Sequence, residues 1–150
     1  MTLYFNDLEL GATFTSSGRT ITEADIVAFA GLSGDFNPLH TDEEWVKANT
    51  GYGTRIAHGL LVLSISSGLR TPGFDELAIQ GYLNVDRRMV APTFAGDTLR
   101  VTQTVDELTP SKSRPGMGIA TIAVSVEKHD GTVVQRGTDV LLVAGASIDV

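Results

Sequence analysis

One apolar segment, followed by a series of long alternating segments, sets the strongest limit on how this 150-residue chain can fold. After Gly59 the sequence reads Leu-Leu-Val-Leu-Ser-Ile-Ser-Ser-Gly-Leu, and its few polar positions are small serines. Such a segment predicts a helix that is apolar nearly all round and therefore buried. Thr71-Pro72-Gly73 is expected to stop it.

The chain that follows this helix is predicted to form β-strands. Four segments are rich in β-branched residues and alternate roughly between apolar and polar positions: 78–88, 97–107, 118–128 and 133–143. Asp130-Gly131 predicts a tight hairpin between the last two. An antiparallel sheet wrapped around one buried helix, in the α+β class, accommodates this order of elements.

Two capping patterns predict helices in the N-terminal third. Thr22 followed by Asp25 is typical of a helix start, and Gly31 is expected to end that helix. Thr41 begins a second pattern of this kind, which predicts a short helix over residues 42–48.

The chain is predicted to form one domain, residues 1–150. Its composition restricts the partners and the cellular compartment that are expected for it. The formal charge of −7 argues against nucleic acid or an anionic membrane as the main partner. Without cysteine there is no disulfide or thiolate nucleophile, and the three histidines lack metal-ligand spacing, so no metal is expected. No leader pattern and no membrane-length apolar run is visible, which favours a cytoplasmic protein.

A candidate acid/base pair lies before the apolar helix. Asp35 and His40 are five positions apart, and the Asn37-Pro38 turn between them can bring their side chains toward one point. The His58-Gly59 pair then opens the helix, whose first N–H groups have no partner within the helix. An acid/base pair facing free N–H groups can transfer protons beside a carbonyl.

Taken singly, these residues have ordinary structural interpretations. Asp35 alone is more simply a turn residue, and His40 alone a helix-entry residue. Their combination with the Asn-Pro turn and the His-Gly pair favours catalysis. For His58 the structural interpretation, packing or bonding to backbone, remains the stronger one.

Two segments carry a resemblance to a known family. Gly34-Asp35-Phe36-Asn37-Pro38-Leu39-His40 and Ile56-Ala57-His58-Gly59-Leu60 resemble the signature of the MaoC-like hydratases, which include the (R)-specific enoyl-CoA hydratases. The order of helix, loop, central helix and four strands is similar as well. The resemblance implies a single hot-dog domain, a homodimer, and reversible addition of water to a trans-2-enoyl-CoA to give an (R)-3-hydroxyacyl-CoA. It implies no cofactor, because CoA is part of the substrate.

The resemblance also assigns roles to individual residues. Asp35 and His40 become the acid/base pair, and the N–H of Gly59 becomes the donor to the thioester oxygen. We expect His40 to activate the water at Cβ and Asp35 to handle the Cα proton, with the reverse assignment left open. Around the substrate we expect Asn37, which supports the local geometry, together with His58 and Ser67.

The nucleotide end of CoA requires cations, and the chain offers several. The loop 111–116 is the best candidate, because it combines Lys112 and Arg114 with backbone freedom. The other candidates are Arg55, Arg87 and Arg88. Each of these residues is by default a solvated surface charge.

Two other functions fit the same sequence. A hot-dog thioesterase would direct the water at the thioester carbonyl carbon and release free thiol. A non-catalytic acyl-CoA binding module would keep ligand affinity without turnover, and Asp35→Asn would leave its behaviour nearly unchanged.

Overall fold

Six strands form one antiparallel sheet in the computed structural model, which describes residues 1–146. Four of them are long, as expected: β3 (Ile79–Met89), β4 (Thr98–Pro110), β5 (Gly118–Lys128) and β6 (Val133–Val143). Two short strands, β1 (Thr13–Thr15) and β2 (Arg19–Thr20), pair with β4. The sheet order is β1-β4-β5-β6-β3, so β3 is an edge strand. The last four residues of the expected 1–150 domain lie outside the described residues.

Four α-helices precede the long strands in the described part of the chain: α1 (Glu23–Ser33), α2 (Pro38–Thr41), α3 (Glu43–Asn49) and α4 (Gly59–Ser67). The start of α1 is confirmed in detail. The Asp25 N–H donates to the Thr22 hydroxyl over 3.1 Å, and the Thr22 N–H donates to the Asp25 carboxylate over 2.8 Å. The pair therefore forms a reciprocal capping box.

Two helix boundaries differ from the prediction. α1 runs past Gly31 and ends at Gly34, which has a left-handed φ of 76° and whose N–H donates to Ala30. The cap of α3 is Asp42, not Thr41, because the Asp42 carboxylate accepts the N–H of Trp45 over 2.9 Å. In both cases a neighbouring residue satisfies the free backbone groups at the helix end better than the residue chosen from the sequence.

The core lies between the sheet and α4. The inward positions of β5 are buried as the alternation predicts: Ala120, Ile122, Val124 and Val126. From α4, Leu61 and Val62 join the same apolar cluster.

α4 is buried only on the side that faces the sheet. Leu60 remains 61% exposed, and Ser64 and Ser67 are exposed as well. The expectation that the whole helix is buried is therefore wrong for a single chain. A one-layer sheet covers one side of a helix, and nothing in one chain covers the other side.

None of the helices in residues 1–146 has both the length and the apolar character that crossing a bilayer requires.

Candidate active site

A tightly bonded turn after α1 positions the two predicted acid/base residues. The Asp35 carboxylate accepts the N–H of Asn37 over 3.1 Å, and the Asn37 side chain accepts the N–H of Leu39 over 3.0 Å. Asn37 is thereby the cap of α2, and Pro38 occupies the first turn, where it lacks only an N–H that would be unpaired in any case. His40 follows within the same short helix, so its backbone is held close to Asp35.

His40 presents one nitrogen to the Asp35 carboxylate. Its Nδ1 lies 2.7 Å from the backbone oxygen of Ile56. A carbonyl oxygen only accepts hydrogen bonds, so Nδ1 carries the proton and Nε2 of the neutral ring carries the lone pair. His40 Nε2 and Asp35 Oδ2 are 3.9 Å apart, which is too long for a direct hydrogen bond and leaves room for both to bond one small oxygen. Asp35 is half exposed, whereas His40 is nearly buried.

His58 lies behind His40 and supports it. The two rings stack with centroids 3.7 Å apart, and His58 also packs against Phe29. His58 Nε2 donates to the backbone oxygen of Asp35 over 3.0 Å. His58 is buried and does not line the cleft described below, so the geometry favours its packing interpretation, and its contact with the substrate stays a prediction.

Gly59 is the first residue of α4, next to its cap His58. A methyl group at Gly59 would lie 2.9 Å from Cγ of Met89, so β3 and α4 approach each other too closely for a side chain. The backbone oxygen of Gly59 accepts a hydrogen bond from Nε2 of Gln135 in β6 over 2.7 Å. The N–H groups of this first turn have no partner within the helix and lie at its positive end.

A cleft of about 260 Å³ connects these elements. His40 and Gly59 both line it, while Asp35 lies beside it, near His40. The rest of the wall is mostly apolar: Tyr52, Ile56, Ala57, Val62, Met89, Val90, Ala91, Pro92, Thr93 and Gln135. The cleft thus combines a base, the start of a helix and an apolar wall. These features suit a small, mostly apolar group that carries a carbonyl.

β3 and β6 contribute residues to this cleft that the motif does not predict. Met89 and Gln135 come from strands far from the motif and pair with each other across the sheet. Gln135 left one signal, since it is an amide at an inward-facing position of β6. Nothing in the local pattern of Met89 distinguishes it from a core residue.

Asp35, His40 and His58 also form a group of potential metal ligands. One ligand atom from each lies within 4.8 Å of the others. Backbone oxygens engage one nitrogen of each imidazole, so each ring presents a single remaining nitrogen. The two rings are nearly parallel, an arrangement that suits stacking better than joint coordination, because a metal lies in the plane of each ring that binds it.

Arg55, which was expected near the substrate, is engaged in ion pairs within its own chain, and its contact with the substrate stays a prediction. Its Nε lies 2.9 Å from the Glu43 carboxylate, and its guanidinium also pairs with Glu23. Hydrogen bonds from Arg55 and from the Thr54 hydroxyl lower the pKa of Glu43 to about 2. Arg55 therefore ties α1 and α3 to the loop that leads into α4.

We expect this ion-pair group to make stability depend on pH through Glu43. The folded-state pKa lies below the ordinary value of 4.5, so the stabilisation is complete above that pH and is lost as pH falls toward 2. Glu43→Gln should lower Tm by a few degrees at neutral pH, and the difference from the parent chain should shrink at acidic pH. Glu44→Gln, which removes an exposed carboxylate paired only with Lys47, is the matched control and should leave Tm nearly unchanged. A constant Tm difference across this pH range in circular dichroism melts would contradict the assignment.

Three other expected substrate contacts do not reach the cleft of their own chain. Ser67 is exposed in the last turn of α4, about 12 Å along the helix from Gly59, and its hydroxyl donates to the backbone of Ser64. Lys112 and Arg114 are exposed in the β4–β5 loop. That loop lies at the Val143 end of β6, roughly 26 Å from position 135. Within one chain, strand length separates Lys112 and Arg114 from the cleft, and helix length separates Ser67 from it, so their substrate contacts stay predictions.

Arg87 is likewise paired. It lies 2.6 Å from the Asp139 carboxylate, and both side chains are buried on the face of the sheet that carries Gln135. Burial raises the pKa of Asp139, and the Arg87 guanidinium opposes that rise. Neither charge is available to a CoA phosphate. Arg88 is exposed.

Comparisons with known proteins identify the family of this chain. A family model described as "MaoC like domain" matches residues 7–137. The chain is 41% identical over 112 residues to an (R)-specific enoyl-CoA hydratase of Rhodospirillum rubrum, covering 73% of this chain and 74% of the relative. It is also 41% identical over 115 residues to a 3-hydroxybutyryl-CoA dehydratase of Methylorubrum extorquens, covering 75% and 69%.

Solved structures show the same architecture. A MaoC-like dehydratase from Rhodospirillum rubrum superimposes with a TM-score of 0.80 and 32% identity, covering 97% of this chain and 99% of that one. A Mycobacterium tuberculosis protein with a double hotdog fold matches with a TM-score of 0.82 at 23% identity, covering 99% and 46%, and this likeness concerns the fold alone. The expected hot-dog fold is therefore confirmed. On the family model and the identity to its relatives, the chain belongs to the MaoC-like domain family.

Proposed function

We propose that this protein is a hydro-lyase that reversibly adds water to a trans-2-enoyl-CoA to give an (R)-3-hydroxyacyl-CoA. The observation that carries the proposal is the 3.9 Å separation of His40 Nε2 and Asp35 Oδ2 next to the first turn of α4. The names of the two relatives, an enoyl-CoA hydratase and a 3-hydroxybutyryl-CoA dehydratase, describe the two directions of this reaction and support it.

His40 and Asp35 divide the proton transfers. A water held between them bonds through its oxygen to Cβ of the substrate while Nε2 of His40 takes one of its protons. That proton then passes from His40 Nε2 to the Asp35 carboxylate, 3.9 Å away, and Asp35 delivers it to Cα. The water loses one proton and Cα gains one, so the pair returns to a neutral imidazole and a carboxylate. The reverse reaction, loss of water, uses the same groups in the opposite order.

The start of α4 stabilises the charge that develops between these two transfers. Addition at Cβ places negative charge on the thioester oxygen until Cα is protonated. The N–H of Gly59 donates to that oxygen, and the positive end of the helix dipole adds to the effect. One donor of this kind contributes about 2.7–4 kcal/mol at the transition state.

Incubation with crotonyl-CoA tests the proposal. Hydration removes the absorbance of the conjugated thioester and leaves no free thiol. Release of free thiol would instead identify a thioesterase. Binding with neither change would identify an acyl-CoA binding module, and either result would overturn the proposal.

We further propose that the protein acts as a homodimer formed through the β3 edge and the open side of α4. Edge strands expose unpaired backbone groups, and β3 additionally exposes large apolar side chains, among them Leu83 and Val85. Leu60 is a further exposed apolar side chain, on α4. Large exposed apolar side chains on an edge strand are typical of an interface between copies.

Leu83→Lys tests this interface. The charge would have to be desolvated on association, so we expect the variant to sediment as a monomer, whereas the parent chain sediments at twice its mass of 15.9 kDa. Leu10→Lys is the control, since Leu10 is also exposed but lies outside β3 and α4. A monomeric parent chain would contradict the proposal.

A further inference from the structure

Gln135 is a buried amide where the sheet otherwise carries mainly apolar side chains. It lies in β6 with 2% of its surface exposed, opposite Met89 of β3 and Val126 of β5. Further along the same face of β6, Leu141 and Val143 are fully buried. An amide in such a place requires hydrogen-bond partners that an aliphatic side chain would not require.

The amide of Gln135 is only half satisfied. Its Nε2 donates to the backbone oxygen of Gly59 over 2.7 Å. Because a carbonyl oxygen accepts only, the amide orientation is determined, and Oε1 must point the other way. Oε1 is buried and has no partner among the described residues.

Within residues 1–146, this is the one hydrogen bond between α4 and the sheet. The remaining contacts of α4 with the core are apolar, from residues such as Leu61 and Val62. Apolar contacts are non-directional and do not determine the orientation of a peptide group. The Gln135 bond is directional, and it ties the carbonyl of the first helical residue, which also accepts within the helix, to β6.

Gly59 needs such a restraint. Glycine has more backbone freedom than any other residue, and the first helical N–H has no partner within the helix. A Cβ at this position would lie 2.9 Å from Cγ of Met89, so the Met89 side chain or the first turn would have to shift to accept a stiffer residue. The hydrogen bond from Gln135 adds a directional restraint from the sheet to this glycine.

We propose that Gln135 is a positioning residue, which holds the Gly59 peptide and the N–H groups at the start of α4 in the orientation that the thioester oxygen requires. The inference rests on the proposed function, because the catalytic consequence arises only if these N–H groups meet the enolate oxygen. The negative charge on the enolate oxygen develops in the transition state and is absent from the bound substrate. Loss of Gln135 should therefore lower kcat and leave KM nearly unchanged.

Gln135→Met tests this prediction, because methionine has the same length and no donor. We expect kcat for crotonyl-CoA to fall about tenfold or more, with KM within about twofold of the parent value. Gln103→Met is the matched control. Gln103 is also a buried glutamine with an unpartnered Oε1, but it lies in β4, outside the cleft. Its replacement should leave kcat near the parent value, and an equal loss in both variants would overturn the inference.

Gln135→Glu gives a readout that a purely structural role would not produce. A carboxylate cannot donate to the Gly59 oxygen, whereas the protonated acid can. Burial raises the pKa of a carboxyl group at this position. The titratable groups facing it are His40 across the cleft, and Arg87 and Asp139 further along the same face. The ratio of the variant kcat to the parent kcat should increase as the pH is lowered from about 8.5 to about 6, by up to tenfold per pH unit. A constant ratio would contradict the inference.

A measurement without substrate separates this inference from the proposed function. The ¹H–¹⁵N signal of the Gly59 amide should shift and its heteronuclear NOE should fall in Gln135→Met but not in Gln103→Met. An unchanged Gly59 amide would overturn the positioning role even in an active enzyme. If the parent chain does not hydrate crotonyl-CoA but the Gly59 amide responds, the proposed function fails and the structural role of Gln135 stands.

Discussion

Replacing His40 with alanine is expected to lower kcat for hydration of crotonyl-CoA by roughly 10²–10⁴-fold, because the water then loses its base. Asp35→Asn should cause a loss in the same range, since the amide keeps the shape of the turn but cannot carry a proton. The Tm of Asp35→Asn should stay close to that of the parent chain, because Asp35 is half exposed. Stopped-flow absorbance of the conjugated thioester measures both variants.

His129→Ala is the control for the loss of an imidazole. His129 is exposed beside the β5–β6 turn, away from the cleft. Its replacement should leave kcat unchanged. If His40→Ala kept more than half of the parent activity, the assignment of the acid/base pair would be wrong.

Gly59→Ala is expected to lower kcat by about 10²-fold with the chain still folded. The new Cβ would lie 2.9 Å from Cγ and 3.1 Å from Cε of Met89, so either Met89 or the first turn of α4 must shift. A shift of the turn moves the Gly59 N–H away from the thioester oxygen, and small misplacements of a donor are costly at the transition state. Steady-state kinetics together with a thermal melt distinguish this loss from unfolding.

The double variant Gly59→Ala with Met89→Ala tests the cause of that loss. Removing the Met89 side chain makes room for the new methyl group, so the double variant should be more active than Gly59→Ala alone. Gly31→Ala controls for glycine substitution in a helix, since a Cβ at Gly31 meets nothing within 4 Å. A double variant no more active than the single one would exclude crowding as the explanation.

The fold was predictable because its main signals are local and repeated. The alternation of β5 places Ala120, Ile122, Val124 and Val126 on one face, and all four are buried. Each strand pattern spans enough residues for burial of one face to outweigh local irregularities. The capping box of Thr22 and Asp25 was equally clear, because both partners lie within one turn of helix.

Predictions that depended on a single local signal were less accurate. Gly31 was expected to end α1, but the helix continues until Gly34 adopts a left-handed conformation. Both glycines permit a helix end, and the geometry of the following turn selects between them. The burial of α4 was overestimated for a related reason: an apolar segment indicates that a helix has apolar neighbours, but not whether the same chain supplies them.

For the candidate site, distance along the chain separates the contacts that the sequence could predict from those that it could not. Asp35 and His40 lie five positions apart, so the turn between them brings them together and the amino-acid pattern is sufficient to predict the pair. Gln135 is 76 positions from Gly59, and Arg55 is 32 positions from the Glu23 carboxylate that engages it. Sequence spacing carries no information about such contacts, because they form only when the sheet and the helices pack. The candidate acid/base pair could therefore be predicted from the chain alone, whereas the contacts that support it, and the ion pairs that engage Arg55 and Arg87, depend on how the elements assemble.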